Sequence, residues 1–372
     1  MKILYITTVR IPTEKAHGVQ IMKMCEAIAS LGHTVELVVP RQLNKLKDDP
    51  FTYYAVDRTF TITYANAIGF GPYNRIGYWI HRLTFALAAI WLTKQHHADL
   101  LYTRDELIAG FLSLLHKRFI FEVHEGRWNA FMRRATFAAS RTVVLTKGLA
   151  DYLVERGVPK EKIHVAPDAV DQRTFQNPES LEAARLRLEL PLHEKIALYI
   201  GRIDDWKGTD TFFKSAALMP SNILVAVIGG EEQQIADLKK SYPKVLFLGY
   251  RPYRELANNQ AAADVLILPN SAKHDISTRD TSPLKLFSYM ASGKPIVASD
   301  VPSLREILDE KTASFFKPDD PASLARAIEY TLEDSVSASK RAEAARVKVQ
   351  QFSWENRAKL ILASLNDSAF VR

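Results

Sequence analysis

The chain has a single cysteine, Cys25, among its 372 residues. No internal disulfide can form, so the fold must rest on packing and hydrogen bonding. Cys25 lies among Met22, Met24, Ala27 and Ile28, which read as the buried face of a helix, so its thiol is expected to pack and not to react. Long apolar runs are also missing. The longest, Phe85 to Leu92, falls far short of the ~20 residues a membrane-spanning helix needs. The first residues lack the basic head, apolar run and small-residue cleavage site of a secretory signal. These absences together lead to the expectation of a cytoplasmic location. There are no paired Cys/His ligands and no aromatic ribonucleoprotein strands, which places nucleic acid last among partners. Low-complexity tracts and short repeats are absent too.

What is present is ordinary globular composition, 47% apolar and 24% charged, over a length that suits about two domains. The net charge of +7 is unevenly placed. Residues 1–177 hold 23 Lys/Arg against 16 Asp/Glu, whereas residues 178–372 hold 26 of each. A basic first half implies an anionic counterpart, either a membrane surface or a phosphorylated partner, unless it serves only solubility.

Short apolar runs alternate with amphipathic segments of helix length. KILYITT, TVELVVP, DLLYTR, RFIFEVH and RTVVLT read as buried strands of a first half. IALYIGR, ILVAVIGG, VLFLGY, DVLILP and PIVASD repeat the pattern in a second. Runs apolar on both faces, with helices between them, predict parallel sheets covered on both sides. The polar stretch from about Asp171 to Glu194 contains Pro178 and Pro191 and precedes a fresh strand. The expected division is a domain at 1–175, a linker at 176–194, a domain at 195–352 and a terminal helix at 353–372, with Ser353 as its cap. Two doubly wound α/β domains bind ligands at the carboxyl ends of their strands, so a shared cleft is expected.

Two elements carry chemistry. In IGRIDDWKG, Arg202 leaves a strand end and Lys207 follows five residues on, before Gly208 and a helix. Two cations at a strand terminus suit a diphosphate, although solvated surface cations would share the spacing. In DTSPLKLFSYMASGKPIVASD, Ser282 is placed to cap a helix with Pro283 in its first turn. The free N–H groups of such a helix start bind phosphate, and a capped structural helix would look the same.

Taken in order with AHGVQIMKMCEAIASLGHTVELV, these elements resemble the retaining glycosyltransferases of GT-B fold, in the large family 4 that uses nucleotide-diphosphate sugars. The resemblance covers nearly the whole chain. It implies two Rossmann-like domains, transfer of a hexose-like group to a hydroxyl acceptor with retention, and no metal or other cofactor. No Asp-x-Asp triplet occurs in the chain, in agreement. By resemblance, Arg202 and Lys207 clamp the donor diphosphate, and Gly18 lets backbone approach the donor in the loop after the first strand. His124 in FEVHEG lies beside the transferred sugar, with His17 a second candidate; a strand-end histidine bonded to backbone is the alternative for His124. Tyr250 and Arg251 fall near the base. Thr281, Ser282, Pro283 and Leu284 form the donor-binding helix start. Against this stands a non-catalytic nucleotide-sugar binder, or an epimerase of the same architecture, for which only His124 and Glu125 offer acid/base groups.

One departure matters. The family shows two glutamates eight positions apart; here Asp280 and Ser288 occupy those places. A serine under the ribose would forfeit about 1–3 kcal/mol of donor binding. On the acceptor side, the segment Tyr73 to Lys94 mixes Arg75, His81, Arg82 and Lys94 with Tyr78, Trp79, Phe85 and Trp91. Apolar residues fill much of its helical circumference, so it reads as a mostly buried helix, with peripheral contact with an anionic membrane as the alternative.

Overall fold

The computed structural model describes residues 1–68 and 75–365. Tyr73, the side chain of Arg75 and the last residues of the expected terminal helix, 366–372, lie outside the described residues. The chain divides into two units, 1–167 together with 354 onward, and 168–353.

The first unit is built on a parallel sheet. Its strands are β1 (Lys2–Ile6), β2 (Thr34–Arg41), β3 (Thr61–Asn66), β4 (Leu100–Thr103), β5 (Phe119–Val123), β6 (Arg141–Val144) and β7 (Ile163–Val165), in the order β3-β2-β1-β4-β5-β6-β7. The second unit repeats the plan with β8 (Lys195–Ile200), β9 (Ile223–Ile228), β10 (Val245–Phe247), β11 (Val265–Leu268), β12 (Ile296–Ser299) and β13 (Ser314–Phe316), in the order β10-β9-β8-β11-β12-β13. Every strand pair is parallel, and helices occupy the crossovers. These are the two Rossmann-like domains that the alternating pattern implied. In each, the first strand lies inside the sheet and the chain reverses direction beside it, between β1 and β4 and between β8 and β11. That reversal opens a crevice at the strands' carboxyl ends, where ligands bind in this architecture.

The strands read from the sequence are present, and their inner members are buried on both faces; β4, β5, β11 and β12 have no exposed residue. Three strands went unread: β3, β7 and β13. All are edge strands with partly exposed faces, so they lack the continuous apolar run that marks an inner parallel strand. The polar stretch taken as a linker contains a helix, Leu181–Arg187, capped by Ser180. Its Arg185 is buried and bonds the carbonyls of Ala262 and Leu192 and the carboxylate of Asp264, which ties the segment into the second unit. Long-range partners therefore order a stretch whose composition looks like a loop.

The terminal helix, Trp354–Ala363, begins just after Ser353 and packs on helix Ala16–Ser30 of the first unit. Cys25 is fully buried in helix Ala16–Ser30, and burial raises its thiol pKa, as suits a packing residue. Helix Arg75–Gln95 differs from the expected mostly buried element. Phe85, Ala86, Ala89 and Ile90 face the core, while Ile76, Trp79, Leu83, Leu87 and Trp91 are between 44% and 69% exposed. No helix among the described residues is long and apolar enough to cross a membrane.

One glycine fixes the turn that matters most for the second unit. Gly208 has φ +65, and a Cβ there would stand 1.9 Å from the Pro269 carbonyl oxygen. The Trp206 carbonyl accepts the Ser271 N–H at 3.2 Å, so this turn is laid directly against the end of β11. Gly208→Ala should destabilise the protein by more than about 2 kcal/mol, since backbone strain and a backbone clash add. Urea unfolding is the measurement, with Gly32→Ala as control: Gly32 has φ +84 but nothing within 4 Å of a Cβ. An equal loss in both variants would show that the Pro269 backbone yields.

Candidate active site

The switch point of the second sheet gathers cations. Beyond β8 come Gly201, Arg202 and a 3-10 turn, Asp205–Lys207. Asp204 stands between the two expected phosphate ligands, meeting Arg202 Nη2 at 3.0 Å and Lys207 Nζ at 3.4 Å. The Arg202 side chain is 61% exposed and that of Lys207 only 15%. Burial lowers the Lys207 ammonium pKa; Asp204 opposes this and Arg202 adds to it. The Tyr199 hydroxyl donates to the Arg202 carbonyl at 2.7 Å and steadies the turn. A third cation joins them that the sequence reading passed over. The buried Nζ of Lys285 lies 3.8 Å from the centroid of the Tyr199 ring. A signal was available: Lys285 is the second residue of a helix, where the macrodipole disfavours positive charge.

That helix spans Leu284–Ser292, with Pro283 itself in the cap position and no side-chain cap. Ser282 is therefore one residue too early to cap it, because Pro283 is extended at ψ 131. The Ser282 hydroxyl accepts the Asp168 N–H at 3.3 Å instead. The cap residue itself thus offers no side chain to compete with an anion for the N–H groups of the first turn. Thr281 precedes it in extended conformation, and Leu284 is half-buried at its first position. Asp280 is buried at the end of the turn Ile276–Asp280, its two oxygens meeting Arg279 Nε at 2.6 Å and Nη2 at 3.2 Å. Ser288 is also buried; its hydroxyl donates to the Lys285 carbonyl and accepts from Gln260 Nε2, both at 3.0 Å. Tyr250 and Arg251 follow β10; Tyr250 is half exposed, and Arg251 Nη1 donates to its carbonyl at 3.0 Å.

The first unit centres on a fully buried carboxylate, Glu122 of β5. Its Oε1 accepts from Gln20 Nε2 at 2.8 Å, His124 Nε2 at 2.7 Å and Arg357 Nη2 at 3.0 Å, and its Oε2 from the Tyr102 hydroxyl. Burial alone would raise the Glu122 carboxyl, but Arg357, His124 and Arg104 together hold it well below the usual range. His124 directly follows β5, with its side chain 22% exposed. Burial, aided by Arg104 and opposed by Glu122, pushes its pKa down to about 4. Neutral His124 thus donates its Nε2 proton to Glu122 and keeps Nδ1 as an acceptor. His124 is legible in the sequence, whereas Glu122 and Arg357 are not, because they lie in an apolar strand and a distant helix.

Gly18 lies within the first turn of helix Ala16–Ser30, not in the expected loop. A Cβ there would come 2.2 Å from the Tyr54 hydroxyl, which receives the Thr13 N–H at 2.6 Å and donates to its carbonyl at 2.9 Å. The missing side chain thus makes room for that hydroxyl. His17 is half-buried in the same turn.

Comparison with known proteins agrees with this arrangement. The family described as Glycosyltransferase Family 4 matches residues 17–173, and Glycosyl transferases group 1 matches residues 182–348. Among solved structures, sucrose-phosphate synthase from Thermosynechococcus elongatus aligns at TM-score 0.80 with 22% identity over 98% of both chains. HepE from Anabaena, in complex with UDP-glucose, aligns at TM-score 0.78 with 16% identity over 99% of this chain and 100% of its own. A D-inositol 3-phosphate glycosyltransferase from Xylanimonas cellulosilytica is 28% identical over 60% of this chain and 56% of its own length. The counterpart from Mycobacterium leprae is 30% identical over 61% and 54%. The match thus spans about half the length of these curated relatives. Fold and site define a protein of the GT-B class. Within that class, the chain belongs to the family 4-like glycosyltransferases.

The His124 environment has a consequence for stability. Its pKa is about 4 when folded and about 6.5 when unfolded. As pH falls, the unfolded chain takes up the proton first, so this contribution is full above about pH 6.5 and lost toward pH 4. The unfolding free energy should therefore rise with pH between those values, and the slope should flatten in His124→Gln. An unchanged slope in the variant would show that His124 titrates normally in the folded protein.

Proposed function

We propose that the protein transfers a hexose-like sugar from a nucleoside-diphosphate sugar to a hydroxyl acceptor, with retention and without a metal. The observation that carries this reading is the pairing of Arg202 and Lys207 on Asp204 at the switch point of the second sheet. As the bond from the anomeric carbon to the diphosphate oxygen breaks, negative charge grows on the leaving group. Arg202 and Lys207 stabilise that charge, with the N–H groups that open helix Leu284–Ser292 beside them. The acceptor oxygen bonds to the anomeric carbon on the same face. Its proton passes to the departing phosphate oxygen, so the step needs no enzymic base. The UDP-glucose named for the Anabaena neighbour supports a nucleotide-sugar donor, and the D-inositol 3-phosphate glycosyltransferases support a phosphorylated acceptor.

Arg202→Ala and Lys207→Ala should each raise the barrier by about 2–4 kcal/mol in a turnover assay over a donor panel. Near-normal turnover in both would place the donor elsewhere, and binding without turnover by the parent protein would favour a non-catalytic binder. Chelator should leave turnover intact; loss that added divalent metal restores would refute the metal-free step.

The acceptor side supports a second element of the reading, peripheral contact with an anionic membrane. Ile76, Trp79, Leu83, Leu87 and Trp91 follow one another at three- and four-residue steps, so they form one exposed apolar face of helix Arg75–Gln95, and Lys94 extends it. The charge surplus of residues 1–177 complements an anionic surface. A neighbour described as involved in lipopolysaccharide biosynthesis, at TM-score 0.72, supports a lipid-linked acceptor. Co-sedimentation with anionic liposomes should weaken as salt rises, since charges are screened beyond ~10 Å at 0.1 M. It should also weaken in Trp79→Ser with Trp91→Ser. Absence of binding at low salt would leave a free phosphorylated acceptor.

A further inference from the structure

Three basic side chains stand at the end of β8, and two of them, Arg202 and Lys207, share the carboxylate of Asp204. Lys285 has no such partner. Its Nζ is buried without a hydrogen-bond acceptor among the described residues, and it rests on the π face of Tyr199 at 3.8 Å. The Tyr199 ring is held in turn by its hydroxyl bond to the Arg202 carbonyl. Gly201, at φ +149, leaves the space that Nζ uses: a Cβ there would stand 3.0 Å from it. An amino group kept out of water, at the disfavoured end of a helix and with no hydrogen-bonded carboxylate among the described residues, carries a charge only at a cost in stability unless a ligand supplies the opposite one.

We propose that Lys285 is a ligand of the donor's diphosphate, completing with Arg202 and Lys207 a three-cation site. This rests on the nucleotide-sugar reading and adds to it a residue outside the Arg–Lys pair of the resemblance. The neighbouring charges agree with the assignment. Burial, and then Lys207, push the Lys285 ammonium well below the usual lysine range, with Asp204 opposing. A bound diphosphate would reverse that balance and draw a proton onto Nζ.

The test is calorimetric titration with UDP and GDP against uridine and guanosine, in paired buffers of different ionisation enthalpy. Lys285→Met keeps much of the length and packing of the side chain and removes the amino group. Diphosphate affinity should fall by about tenfold or more, nucleoside affinity should hold within about twofold, and the proton uptake that accompanies diphosphate binding should shrink. Lys285→Gln is the second variant, and the ligand-free melting temperature of each checks its folding. The assignment is overturned if a folded variant binds the diphosphate as well as the parent does. It is equally overturned if nucleoside and diphosphate weaken alike, because Lys285 then acts only through packing. Failure of the parent protein to bind any nucleoside diphosphate would remove the nucleotide-sugar reading and this assignment with it, a result distinct from a silent variant.

Discussion

The buried carboxylate of Glu122 is the point on which the first unit turns. Its partners come from four elements: Gln20 from the first long helix, Tyr102 from β4, His124 from the end of its own strand, and Arg357 from the terminal helix. An ionised group with no exposure is tolerable only because each oxygen is bonded and a guanidinium faces it. Arg357 also bonds the carbonyls of Pro167 and Ala166, the last residues before the chain leaves the unit. One side chain therefore ties the returning helix to the strand that presents His124. Loss of Arg357 would strand a buried charge, at a cost of about 3–5 kcal/mol. The same carboxylate dictates which nitrogen of His124 holds its proton.

The second unit uses the opposite arrangement. Around the end of β8, basic groups outnumber the carboxylate that serves them, and the amino group of Lys285 rests on an aromatic face with no hydrogen-bond acceptor among the described residues. A satisfied cluster such as that of Glu122 gives rigidity and a defined tautomer. An unsatisfied one gives binding energy to an anion, because the desolvation has already been met in the folded state. Gly208 makes this geometry possible: its positive φ and missing side chain let the turn that bears Lys207 lie against the carbonyl of Pro269.

How much of this was legible in the sequence follows from what kind of contact each feature needs. Inner parallel strands are covered on both sides, so KILYITT or DVLILP stands out as an apolar run. The edge strands β3, β7 and β13 have one open side and mixed residues, and they passed unread. The helix Leu181–Arg187 was hidden in polar residues because a distant carbonyl and carboxylate, those of Ala262 and Asp264, hold its Arg185. In helix Arg75–Gln95 the number of apolar residues was plain, but which of them meet the core was not, since periodicity alone cannot say where a wide apolar surface stops being covered.

The sequence by itself determined two doubly wound domains, the strand ends that bear the candidate site, and the Arg202 to Lys207 turn. All of these are local: they depend on apolar period, on glycine, and on residues a few positions apart. Tertiary structure alone decided that Glu122 meets Arg357 across 235 residues, and that Lys285 lies over Tyr199 with no hydrogen-bond acceptor among the described residues. Burial sets the cost of a charge, and burial is a property of the assembled fold. A lysine or glutamate in an apolar stretch therefore takes its meaning only from the neighbours that folding brings to it.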